Sequence, residues 1–170
     1  MNRLARFLVL GGAVLGTASL LRPVAPAPQP ADMVLLKKVA VPANAGWVDT
    51  GLDVLPGEEF YFKAAGEISL QKGNPSANCG PAGIDIMTVQ QPVPDQNLGA
   101  LIGKVAQLIG VRTDEDTGEE VRDEIAAYFF IGPENGLSAP VKGRLYLGIN
   151  EDVIRDNNGE FTVQVFRSKV

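Results

Sequence analysis

The sequence predicts an all-β fold, an antiparallel sandwich. Three observations predict it. Short apolar runs alternate inward and outward positions, as in "MVLLKKVAVPA", "EFYFKAAGEISL", "GRLYLGIN" and "EFTVQVF". Turn residues separate them, among them "LPGEE" (Leu55–Glu59) with its Pro-Gly pair and the Gly/Pro/Asn loop "QKGNPSANCGPAGID" (Gln71–Asp85). Helical periodicity is confined to one short stretch.

The elements follow in order. "MNRLAR" is basic, "FLVLGGAVLGTASLL" (Phe7–Leu21) is apolar and uncharged, and Arg22 closes it. This pattern fits a secretory signal. It is shorter than the ~20 residues of an ordinary spanning helix, and the small residues "APA" at 25–27 are hemmed in by prolines. Residues 1–22 therefore read either as a cleaved signal peptide or as a retained anchor through residues 7–21. Both place the remainder outside the cytoplasm, in the periplasm or on the cell surface. "PVAPAPQPA" makes 23–32 a semi-rigid Pro/Ala linker, and the domain proper spans 33–170. "GWVDTGLDV" and the apolar stretch 99–110 are further strands. The acidic run "RTDEDTGEEVRDEIAA" (112–127), with Val121 and Ile125 four apart, predicts a charged loop with one or two helical turns. "YFFIGP" returns to strand, and about eight strands are expected in all.

Composition narrows the function. Hydrophobic residues make up 45% of the 170, enough for a packed core. The chain has no histidine, which removes Ser-His and Cys-His catalysis and imidazole-bound zinc. The lone Cys79 cannot form an internal disulfide and reads as a small buried residue. Three of the 15 basic residues and none of the 20 acidic ones lie in 1–22, so the rest carries a formal charge of −8. That balance excludes nucleic acid as a partner and suits cations. No separated pair of carboxylates stands out for glycoside hydrolysis, and the protein is not expected to be an enzyme.

The segment "NEDVIRDNNGEF" (150–161) lies between two strands and gathers Glu151, Asp152, Asp156 and Asn157 in one loop. Turns use these residue types. So do calcium sites, which draw six to eight oxygens from carboxylates, amides and carbonyls. The spacing is not that of an EF-hand, because Ile154 stands where a second ligand belongs. Any site here must borrow a carbonyl from another loop. Trp47, in "GWVDTG", reads either as a core or interface tryptophan or as a ring on which a sugar stacks.

Over about residues 43–165 the domain resembles the LecA-type family, bacterial galactose-binding calcium lectins. The resemblance rests on "NAGWVDTGLDVLPGEEFYFKAAGEISL", "CGPAG" (79–83), "PDQNLGALIGKV" (94–105) and "YFFIGPENGLSAPVKGRLYLGINEDVIRDNNGEFTVQV", in that order, with 111–126 as an acidic insertion. It implies a small jelly-roll or galactose-binding-like sandwich in which Ca2+ bridges protein and sugar. It implies Glu151 or Asp152, then Asp156 and Asn157, as side-chain ligands. The carbonyl of Leu70 or Gln71 completes the protein's share from the loop after "AAG". Asp95, Gln96 and Asp156 would hydrogen-bond the sugar, although the family's "His-Pro-Asp-Gln" is Val93-Pro94-Asp95-Gln96 here and the loop is about two residues shorter. The expected function is an exported, calcium-dependent carbohydrate-binding module with a galactose-type partner. The alternative is a membrane-tethered structural or adhesive subunit that docks on a membrane-associated protein complex, with calcium only rigidifying the loops.

Overall fold

The computed structural model describes residues 32–89 and 91–169. The expected signal peptide or anchor at 1–22 and nearly all of the expected linker at 23–32 lie outside the described residues. Among the described residues nine strands build two antiparallel sheets: β1 (Met33–Pro42), β2 (Val48–Val54), β3 (Glu59–Ser69), β4 (Asn78–Cys79), β5 (Leu101–Thr113), β6 (Glu120–Phe130), β7 (Glu134–Ser138), β8 (Gly143–Ile149) and β9 (Asn158–Ser168). One sheet runs β1-β9-β3-β4, with β7 beside the first half of β3; the other runs β2-β8-β5-β6. The fold is the antiparallel β-sandwich that the alternating runs predict.

The inward residues of both sheets make one core. Val41, Phe62, Phe161, Val163 and Val165 from the first sheet meet Leu101, Val105, Leu145 and Leu147 from the second, all fully or nearly fully buried. In the ten-residue β1 the alternation is clean only from Val39 to Val41, after an irregularity between Leu35 and Lys37, and Met33 pairs with Ser168 while Pro42 pairs with Glu160. Cys79 joins the core rim as a free, buried thiol. Burial, reinforced by the charges of Glu151 and Glu67, pushes it up to about 11, so it is a packing residue rather than a nucleophile at neutral pH.

The acidic stretch corrects one expectation. Residues 112–127 contain no helical turn; they are the far half of a β5–β6 hairpin, paired from Thr113–Glu120 to Ile102–Phe130. A spacing of four serves a strand as well as a helix, since positions 121, 123 and 125 share one face of a pleat. The 13-residue partner strand β5 decides between them. Beyond Ala106 the hairpin leaves β8 behind and runs on as a two-stranded arm. Its tip is a turn in which Asp114 Oδ1 accepts from Asp116 N (3.0 Å) and Thr117 N (2.9 Å). Those bonds, the one from Thr117 foremost, hold the Asp114 carboxyl below its usual range. The apolar stretch 99–110 proves to be a single strand, and β7 has no counterpart among the sequence expectations.

Candidate functional site

At the end of the sandwich away from Met33 and Ser168, four connections meet: 43–47, 70–77, 91–100 and 150–157. Asn150, which closes β8, organises them. It is fully buried. Its Oδ1 accepts from Val93 N at 2.9 Å, and its Nδ2 donates to the carbonyls of Val93 (3.0 Å), Asn97 (3.1 Å) and Gln96 (3.3 Å). Its backbone bonds Ala100 and Gly99. One amide thus fastens the Val93–Asn97 turn against the root of the 150–157 loop. Buried Gln91 adds Nε2 bonds to the same Val93 and Gln96 carbonyls.

The loop after β3 reaches the same place. Lys72 N donates to the Asp156 carbonyl at 2.8 Å, so the two loops are joined directly. The Leu70 side chain packs against Gly99, where an added Cβ would come within 2.8 Å of it and 3.1 Å of the Cys79 sulfur. Gly159, immediately after the Asn157-Asn158 step, has φ +87, and a Cβ there would lie 2.6 Å from the Glu67 carbonyl. A side chain would push β9 from β3, so glycine lets the loop turn tightly into the sheet.

Within the loop, Glu151 and Asn157 converge. Asn157 Nδ2 donates to Glu151 Oε2 at 2.6 Å and to the Ala43 carbonyl at 3.2 Å. Both amide hydrogens are thereby engaged, which fixes the orientation of the group. Asn157 Oδ1 is buried and has no hydrogen-bond partner. An orphaned buried acceptor of this kind calls for a donor or a cation. The half-buried Glu151 carboxyl is held above its ordinary range by burial, against the Asn157 bond and with help from the Asp156 charge.

The other expected residues fall differently. Asp152 is exposed and, like Glu151, lines a hollow of about 180 Å³ with Trp47, Pro92 and Ile154. Leu70 is buried beside the convergence. Asp95 is exposed at the tip of its turn and Gln96 is half-buried, using its carbonyl rather than its side chain to hold the turn. Among the described residues, Asp95 makes no side-chain bond to Asp156 or Glu151. Among them too, no three Asp, Glu, Cys or His side chains cluster as a metal site by themselves, so a cation here needs amide and carbonyl oxygens as well. Sequence reasoning missed Asn150 as a positioning residue. Its one signal was an amide closing an apolar strand, where the chain needs a polar group only if other backbone must be satisfied.

A two-sheet sandwich with an oxygen-lined loop end is the class of protein that fold and site define. No family model matches the chain, and no curated protein matches it in sequence. The fold is similar to that of the EclA N-terminal domain, a PllA-like lectin, with a TM-score of 0.53 and 21% identity over 81% of this chain and 98% of that one. The likeness is one of fold.

Proposed function

We propose that this domain is a non-enzymatic, calcium-dependent carbohydrate-binding module of the LecA-like kind, acting outside the cytoplasm and released or tethered through residues 1–22. The observation that carries the proposal is Asn157: its Nδ2 is committed to Glu151 and Ala43, and its buried Oδ1 has no partner. Glu151, Asp156, Asn157 and a carbonyl from the loop after β3 form a mixed set of oxygens of the sort calcium accepts. Gln71's carbonyl already accepts from Asn74 N (3.0 Å) and Ser69 Oγ (2.9 Å), which favours Leu70 as the outside ligand. Glu151 is favoured over Asp152, because Glu151 is half-buried and bonded to Asn157 whereas Asp152 is exposed. A bound calcium would offer its remaining coordination places to vicinal hydroxyls of a sugar. Asp95, Gln96 and Asp156 would hydrogen-bond that sugar, and the Asn150 clamp holds their turn in position.

The test is a calcium titration of the full chain in a detergent without a sugar headgroup, followed by thermal unfolding. At a hundredfold excess over the dissociation constant, binding to the folded state alone adds about 2.7 kcal/mol, a rise of roughly 5–10 °C for a domain of this size. Asp156→Ala should remove that rise, and a glycan array should lose its signal in chelator. A titration with no shift ends the proposal.

A second reading has one observation behind it. Val93 stands where galactose-binding members carry histidine, and it contributes to the turn only through its backbone N and O. In that reading calcium merely rigidifies the loops of a membrane-tethered structural or adhesive subunit. A calcium-induced rise with an array silent in both calcium and chelator would select it.

A further inference from the structure

The outer face of the β2-β8-β5-β6 sheet carries a second constellation, remote in chemistry from the loop end. Cross-strand pairing places Asp49 of β2 opposite Tyr146 of β8, Tyr146 opposite Lys104 of β5, and Lys104 opposite Tyr128 of β6. The four form one row across the sheet, about 14 Å long at the usual strand spacing. Trp47 rests on Gly148, where a Cβ would meet its ring at 3.0 Å, and its ring centroid lies 5.6 Å from that of Tyr128. Lys104 Nζ sits 5.1 Å from the Trp47 centroid and 5.3 Å from the Tyr146 centroid, and it pairs with Glu124. The ammonium braces the rings; at 8% exposure it is itself hardly open to a ligand, whereas Tyr128 is 48% exposed.

Below the row, Arg144 Nε bonds Asp53 Oδ1 at 2.8 Å and its NH1 approaches Asp49 at 3.4 Å. These groups border a groove of about 670 Å³ that starts at Tyr146. Its charged lining is balanced, with Asp49, Asp53 and Glu58 against Lys142, Arg144 and Arg167. In a domain with a formal charge of −8, that local balance suits a neutral ligand. Rings set beside forked hydrogen-bonding groups suit one with apolar faces and a rim of hydroxyls.

We propose that this row, with Trp47 beside it and Arg144 below, is a second glycan-binding surface that takes a neutral hexose oligosaccharide without a metal ion. Tyr128 and Tyr146 stack on the C–H faces of successive sugars, and Asp49, Asp53 and Arg144 bond their hydroxyls. The inference is independent of the loop-end reading.

Trp47 is the one tryptophan of the chain and reports on this face. The full chain, in detergent without a sugar headgroup and with chelator present, is titrated with cellohexaose and with β-1,4-galactohexaose while Trp fluorescence is followed. A saturable change with at least one sugar is expected, and both Tyr128→Ala and Arg144→Gln should weaken it by roughly tenfold. Tyr128 is half-exposed on an edge strand and Arg144 lies outside the core, so neither change threatens the fold. No saturable change at millimolar sugar overturns the proposal, as does affinity unaltered in both variants. So does a sugar-blind, concentration-dependent dimer that Tyr128→Ala dissolves, which would make the face a protein interface.

Discussion

Two acidic stretches occupy opposite ends of the same sandwich. In the 150–157 loop, Glu151 and Asn157 turn toward each other within reach of the Asp156 charge, and an amide oxygen is left buried without a partner. In the hairpin arm, Asp114 is consumed by its own turn, and half-exposed Asp123 faces Arg112 at 3.3 Å. Acidic density alone therefore says little. Oxygens mark a cation site when they converge, are partly dehydrated and cannot satisfy one another.

That contrast can be broken most forcefully at Asn150. Asn150→Ala leaves the Val93–Asn97 turn without its clamp and should cost about 3 kcal/mol in urea unfolding, with loss of the calcium response. Asp114→Ala in the arm removes only exposed turn bonds and should move the urea midpoint far less, with the calcium response intact. A calcium response that followed Asp114 rather than Asn150 would reverse the assignment of the two ends.

Glu151→Gln comes next in size. Gln can still accept from Asn157, yet it carries no charge, so the calcium-induced rise in melting temperature should vanish. The ion-free variant should melt higher than the parent, because a carboxylate held above its ordinary range is costly to keep ionised in the fold. The same displacement sets the pH dependence. The native state of the ion-free protein binds the Glu151 proton more tightly than the unfolded state does. Its stability therefore falls as pH rises from the ordinary glutamate value through the raised one. Calcium competes with that proton, so affinity should decline on acidification before ordinary carboxylates titrate, as calorimetry at a series of pH values would show. An affinity flat down to the ordinary range would remove Glu151 from the ligand set.

The smallest effect belongs to the arm. Asp123→Asn breaks an exposed ion pair, worth less than about 1 kcal/mol, and should leave melting temperature and calcium affinity nearly unchanged.

The sandwich was legible because alternation in β1, β3, β8 and β9 has one periodicity and turn residues bound each run. The arm was misread because Val121 and Ile125 satisfy two periodicities, and the partner that chooses between them lies nine or more residues away in β5. The loop-end residues could be named from residue type and resemblance. What sequence could not supply was direction: Glu151 faces inward and Asp152 outward, though they are neighbours. Nor could it supply Asn150's role, which depends on a turn more than fifty residues distant.

Register also sets which way the domain points. Lys169 N bonds the Asp32 carbonyl at 2.8 Å and Met33 lies opposite Ser168, so both ends of the described chain emerge together. Ala43 and the Asn157 amide lie at the other end of β1, about 30 Å off at the rise of a strand. Anything fastened ahead of Met33 would hold the molecule by its base, with the oxygen-rich loops facing outward like the tip of a probe. A partner could reach them without displacing the attachment.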